Sequence, residues 1–262
     1  RVTGFSVDYV WGETDEFARN AAAEGGIPHI VADPKEMLGN IDAVICDHRH
    51  PKYHLDSVRP FVVEGVPTFV DKPFCYESKR GEEFLSLARE HKTPVTSFSV
   101  ASQQKSFMAI EEELKTIGTI NSGATYGPCD LQSEYGGVFF YGIHQVDMAI
   151  HAFGYDVARV SMLVNIDGFA TGQLLYADGK IVTLNFVKDG TRPFALTAVG
   201  EGGYVHREIV RDEHPHLTGV KTFTRMFETA REPIPHENIL VPIRILEALE
   251  RSLTSGKIEE VS

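Results

Sequence analysis

The chain of 262 residues is 42% hydrophobic and 24% charged, which supplies a buried core for one large or two moderate domains and excludes a disordered polymer. A formal net charge of −12 without any Lys/Arg cluster argues against nucleic acid or an anionic membrane surface as partner and leaves a small molecule as the default. Apolar runs are far shorter than the roughly 20 residues that span a bilayer. The three cysteines Cys46, Cys75 and Cys129 form no CxxC pair and follow no signal peptide, which fits a reducing, cytoplasmic setting.

In chain order, short β-rich runs alternate with helix-like segments up to about residue 100. Strands are expected at 6–11, 28–31, 43–46, 67–70 and 95–100, with helices at 15–24, 34–38, 53–64 and 78–91 bounded by plausible caps. The run Ile41 to Cys46 is apolar almost throughout, as expected of a central parallel strand covered on both faces. This alternation predicts a Rossmann-like doubly wound parallel sheet over residues 1–99. Beyond it, a helix near 103–116 leads to a strand at 119–126. Further strands are expected at 157–164, 169–176, 181–187, 194–200 and 204–209, and a closing helix at 238–254 has Ile243, Leu246, Leu249 and Leu253 on one face. Asp178-Gly179 between alternating apolar residues reads as a hairpin turn. Residues 100–262 are therefore expected to form an α+β domain with a large antiparallel sheet.

Three stretches carry candidate chemistry. At the carboxyl end of the fourth strand stands Asp71-Lys72-Pro73-Phe74, where the lysine reaches the rim on which open α/β sheets bind ligands, or is simply a solvated loop residue. The third strand runs into Asp47-His48-Arg49-His50-Pro51-Lys52-Tyr53-His54. Its histidines invite a metal reading, but Pro51 breaks the chelating geometry at His50 and no partner cluster follows, so no metal is expected. The third stretch, Gly136-Gly137-Val138-Phe139-Phe140-Tyr141-Gly142-Ile143-His144-Gln145-Val146-Asp147, puts an imidazole and a carboxylate on one helix face. They form either a catalytic pair or the wet edge of a core helix. Cys75 has no triad-like company and reads as a packing residue.

In this order and spacing, IDAVICDHRHPKYH, EGVPTFVDKPF and GGVFFYGIHQVD resemble the Gfo/Idh/MocA oxidoreductases over nearly the whole chain. The resemblance implies nicotinamide-dependent hydride transfer to or from a sugar-like or other hydroxylated small molecule, with NAD favoured over NADP. Lys72 would hold the reacting hydroxyl and His144 would be the general acid/base. Asp47, His48, Arg49 and His54 match the loop along the cofactor, and Asp71 the acid beside its ribose. Tyr141, Phe140 and Asp147 fall on the substrate side, Asp147 as a supporting carboxylate. Glu13, at the end of the second family strand, is either the acid that selects NAD or a carboxylate capping the next helix. The family also implies a homodimer or homotetramer through the antiparallel sheet.

The chain departs from the family pattern at three places. No G-x-G-x-x-G phosphate loop occurs, which predicts that roughly 30 residues, one β-α unit, precede Arg1. Phe140 occupies the position, four residues before the histidine, where the family often has a substrate-binding Asp. Ala101-Ser102-Gln103-Gln104-Lys105 offers no match to the family's Arg and Pro after the fifth strand. These departures admit an alternative, a catalytically inactive ligand-sensing member of the same fold.

Overall fold

The structure, a computed structural model, describes residues 4–191 and 193–262. In the first part, β1 (Tyr9–Val10) leads through α1 (Asp15–Gly25) to β2 (His29–Ile30), its parallel partner. The Thr14 hydroxyl caps α1 by accepting from the Phe17 amide, so the cap is Thr14 and not Glu13. The strands β3 (Val44–Cys46), β4 (Thr68–Val70) and β5 (Val95–Thr96) form a second parallel ladder, joined by α2 (His54–Val63) and α3 (Ser78–His91). The observed strands are shorter than the sequence suggests.

One expectation is corrected here. The apolar run ending at Cys46 is not a central strand among the described residues: β4 is central, β3 is an edge, and Ile45 is 49% exposed. The β1–β2 and β3–β5 ladders do not share backbone hydrogen bonds; side chains bridge them instead. His48 Nδ1 lies 2.5 Å from Glu13 Oε1, and the Trp11 and His48 rings meet edge-on.

The second part begins with α4 (Lys105–Leu114), β6 (Ile120–Pro128) and α5 (Val138–Phe153), followed by β7 (Val157–Val164), β8 (Ala170–Tyr176), β9 (Ile181–Val187), β10 (Ala195–Gly200) and β11 (Gly203–Glu208). After α6 (Leu217–Thr229) and α7 (His236–Ser255), β12 (Glu259–Glu260) adds the last edge to a seven-stranded sheet of order β11-β10-β6-β9-β8-β7-β12. The expected hairpin pairs Leu175 with Ile181 around a positive-φ Gly179. The sheet is antiparallel except where β6 and β9 run parallel. Alternate residues Val182, Leu184 and Phe186 of β9 point to the face covered by α5 and α7.

The helix α6 was not foreseen. Four threonines and Gly219 dilute its helical signal, yet it buries Phe223 against Phe69 of β4 with ring centroids 4.4 Å apart. It therefore supports the strand that leads into Lys72. The closing helix α7 seals the centre: Glu247 accepts from both the amide and the hydroxyl of Ser78, at 2.8 and 2.6 Å, satisfying the start of α3. Tyr76 donates to Glu250 at 2.8 Å.

Of the four α7 residues expected on one face, Ile243, Leu246 and Leu249 are buried and Leu253 is exposed. Leu249→Ala should lower stability by about 2–5 kcal/mol through cavity formation, and Leu253→Ala by less than about 1 kcal/mol, both read from urea unfolding midpoints. Equal losses would contradict this packing.

Candidate active site

Lys72 leaves the end of β4 in a Lys72–Pro73 cis peptide, with its ammonium 3.8 Å from Asp71 and above the faces of Phe140 and Tyr141, at 5.7 and 5.8 Å from the ring centroids. Burial raises the Asp71 pKa, and the neighbouring Lys72 charge opposes that rise. The two aromatic rings come from the first turn of α5. Gly136 and Gly137 take positive φ of 104° and 55° to start that helix, and a Cβ on Gly137 would lie 2.9 Å from the Leu131 carbonyl oxygen.

One turn into α5, His144 is only 6% exposed and packs against Tyr141 and Phe194. Its Nδ1 lies 2.8 Å from Ser99 Oγ, which also accepts from the Ala101 amide. Burial, reinforced by the charges of Lys72 and Arg211, holds the imidazole pKa well below its ordinary 6.5. His144 is thus a neutral base near a cation at neutral pH. Asp147, one turn further, is pushed the other way: burial raises its pKa, while His151 and the hydroxyls of Ser102 and Ser99 counteract that. Its Oδ2 is buried without a hydrogen-bond partner.

A cleft of about 830 Å³ opens beside these residues, lined among others by Tyr135, Phe140, Tyr141, Phe194, Lys188 and Arg211. It is large enough for a small-molecule substrate. Lys72, His144 and Asp147 do not themselves line it. Instead, Asp147 faces a narrow cavity of about 30 Å³ shared with Lys72, Ser99, His151 and Tyr155.

The loop after β3 is placed as follows. Asp47 and Arg49 are exposed, and the Arg49 guanidinium stands 5.4 Å from the centroid of Tyr135. His48 bridges Glu13 and Ser57. His54 is fully buried, with Nδ1 2.8 Å from the Pro73 carbonyl and Nε2 2.7 Å from the His48 carbonyl, so neither nitrogen is free for a ligand. Burial lowers its pKa. Cys46, Cys75 and Cys129 are buried, unpaired thiols, and burial pushes Cys46 and Cys129 up to about 12 and Cys75 higher still. No cluster of three metal-binding side chains exists among the described residues.

The structure adds residues that the sequence did not mark. His151 lies seven positions after His144 and four after Asp147, a helical spacing that could have revealed it. Ser99, Ser102 and Arg211 carried no such signal.

No protein-family model and no curated protein matches the sequence. Solved structures do match in shape. Myo-inositol 2-dehydrogenase from Lactobacillus plantarum superposes with a TM-score of 0.87 at 17% identity, over 100% of this chain and 93% of that one. Scyllo-inositol dehydrogenase from Lactobacillus casei, with bound NAD(H) and scyllo-inositol, gives 0.85 at 14% identity, over 97% and 91%. An oxidoreductase from Agrobacterium radiobacter in complex with NAD+, L-tartaric acid and magnesium gives 0.83 at 16%, over 99% and 92%. The chain has the Gfo/Idh/MocA oxidoreductase fold. Within that fold the carboxyl ends of β1, β3 and β4 lead into Glu13, His48, Asp71 and Lys72, which pair as Glu13 with His48 and Asp71 with Lys72.

The depressed His144 pKa has a measurable consequence. Below pH 6.5 the unfolded chain protonates this imidazole and the folded chain does not, so His144 makes stability fall as pH drops through 6.5. His144→Asn should therefore show a smaller loss of urea midpoint than the wild type between about pH 7 and pH 5. Parallel curves would mean that His144 titrates normally in the fold.

Proposed function

We propose that the protein is a nicotinamide-dependent oxidoreductase that interconverts a hydroxyl and a carbonyl group on a sugar-like or other hydroxylated small molecule. The carrying observation is that Lys72, on the sheet rim, and the buried His144 meet the same Tyr141 ring, the ammonium 5.8 Å and the imidazole centroid 5.7 Å from its centroid, with burial and the Lys72 charge keeping the imidazole neutral. Bound nicotinamide would supply the hydride acceptor. Lys72 would hold the reacting oxygen and favour its developing negative charge, while His144 accepts the hydroxyl proton. Asp71 would sit beside the cofactor ribose, with Glu13, His48, Arg49 and Asp47 along the rim.

NAD is the favoured cofactor. Two of the three solved structures named above hold NAD(H) or NAD+, and Glu13 is occupied by His48 with no arginine in that pair. The outer face of the seven-stranded sheet, with Leu163, Val199 and Tyr204 exposed, is the proposed contact between copies in a homodimer or homotetramer. The three unpaired thiols suit a cytoplasmic setting. No helix among the described residues is long and apolar enough to cross a membrane.

One observation favours a sensor instead. Phe140 faces Lys72 where the resembled family has a carboxylate, and a phenyl ring cannot hydrogen-bond a polyol. Calorimetric titration with NAD and NADP, followed by a hydride-transfer screen over sugars and cyclitols, separates the two readings. Turnover is expected, with Lys72→Ala and His144→Ala each reducing it by roughly 10²–10⁴-fold at unchanged circular dichroism. Undiminished activity in both variants would remove the assignment, and tight binding without turnover would favour the sensor.

A further inference from the structure

We propose that His144, Ser99, Asp147 and His151 form a proton path from the reacting hydroxyl to the protein surface at Glu111. The path rests on the oxidoreductase reading for the source of its proton. Converting an alcohol to a carbonyl sends a hydride to the nicotinamide and leaves one proton behind. His144 is too deeply buried to hand that proton directly to bulk water.

The polar groups behind His144 form a series. Its Nδ1 meets Ser99 Oγ at 2.8 Å, and Ser99 and Asp147 both line the narrow cavity behind it. Asp147 Oδ1 stands 3.8 Å from His151 Nε2, beyond direct hydrogen-bond reach. The cavity of about 30 Å³ also reaches His151 and Tyr155; apolar side chains make up most of its wall, but it has room for a water molecule held by these polar groups. The unpartnered Asp147 Oδ2 offers such a water an acceptor. On the far side, His151 Nδ1 lies 3.7 Å from Glu111 Oε1 of α4, whose side chain is 34% exposed.

The charged and titratable groups around the path bias it outward. Lys72 and Arg211 disfavour a proton on His144. For His151, burial works against the charge, but Glu111 and Asp147 outweigh it and raise the pKa. Tyr155, whose hydroxyl is 3.3 Å from His151 Nε2, is itself pushed up to about 12 by burial and stays neutral.

The transfers balance. The hydroxyl proton goes to His144 Nε2 as the Nδ1 proton passes to Ser99 Oγ, and the Ser99 proton passes to Asp147 through water in the cavity that both line. Water carries a proton from Asp147 to His151 Nε2, and His151 Nδ1 releases one to Glu111 and solvent. One proton leaves, and no group is oxidised or reduced. The chain requires His144 to rest with its proton on Nδ1, leaving Nε2 as the base.

Nitrogen-15 NMR of the histidine rings in the full chain, without added ligand, tests the path apart from turnover. The expected result is a neutral His144 protonated on Nδ1 and a His151 midpoint above 6.5. Asp147→Asn should lower that midpoint by about one pH unit or more, and the more exposed Glu111→Gln should lower it as well. A His144 protonated on Nε2, or a His151 midpoint indifferent to both substitutions, would overturn the path. In an NAD-coupled assay over the same sugars and cyclitols, His151→Ala should lose roughly tenfold or more in rate and recover it with added imidazole buffer. Loss without recovery would make His151 merely structural. Absence of wild-type turnover goes against the oxidoreductase reading, whereas the Nε2 tautomer goes against the path alone.

Discussion

The buried imidazole of His54 is the contact on which the rim depends. It lies between the carbonyls of His48 and Pro73, so one ring from the start of α2 ties the loop leaving β3 to the loop leaving β4. A neutral ring can donate to only one of the two carbonyls, and burial opposes the doubly protonated form that could serve both. The arrangement persists because the surrounding helices and strands hold all three groups in place. Lys72 sits one residue before Pro73, and its position is therefore set by the same contact that sets His48.

The chemistry at the rim rests on opposed electrostatic demands. A lysine must remain near enough to the substrate to act on it, and an imidazole must remain neutral enough to accept a proton. Placing the two together serves both, since the Lys72 charge adds to burial in depressing the His144 pKa. The carboxyl groups experience the converse. Asp71 and Asp147 are both raised by burial, Asp71 with Lys72 as its moderating cation and Asp147 with His151.

Local pattern carried much of this architecture. The extents of α3, β7 and β9 follow from periodicity in their own residues, and the Lys72 and His144 motifs stand out because a few residue types recur at fixed spacing. Long-range effects were less legible. The threonine-rich α6 folds as a helix because Phe223 finds Phe69, more than a hundred residues upstream. Residues expected to extend β5 leave the ladder after Thr96, and that departure lets Ser99 reach His144. No local signal announces either event. His54 illustrates the same boundary: its place in the loop was readable, but its full burial between two carbonyls depends on strands and helices far from it in sequence.

The Glu247–Ser78 clamp sets an order of events during synthesis. Its two partners are 169 residues apart, and α7 also packs on α3, α5 and β7. A nascent chain can form α2, α3 and the short parallel ladder early, but the start of α3, immediately beyond the Lys72 loop, lacks its acceptor until α7 has left the ribosome. The site is therefore completed only once α7 has been made, although the lysine at its centre is translated well before that helix.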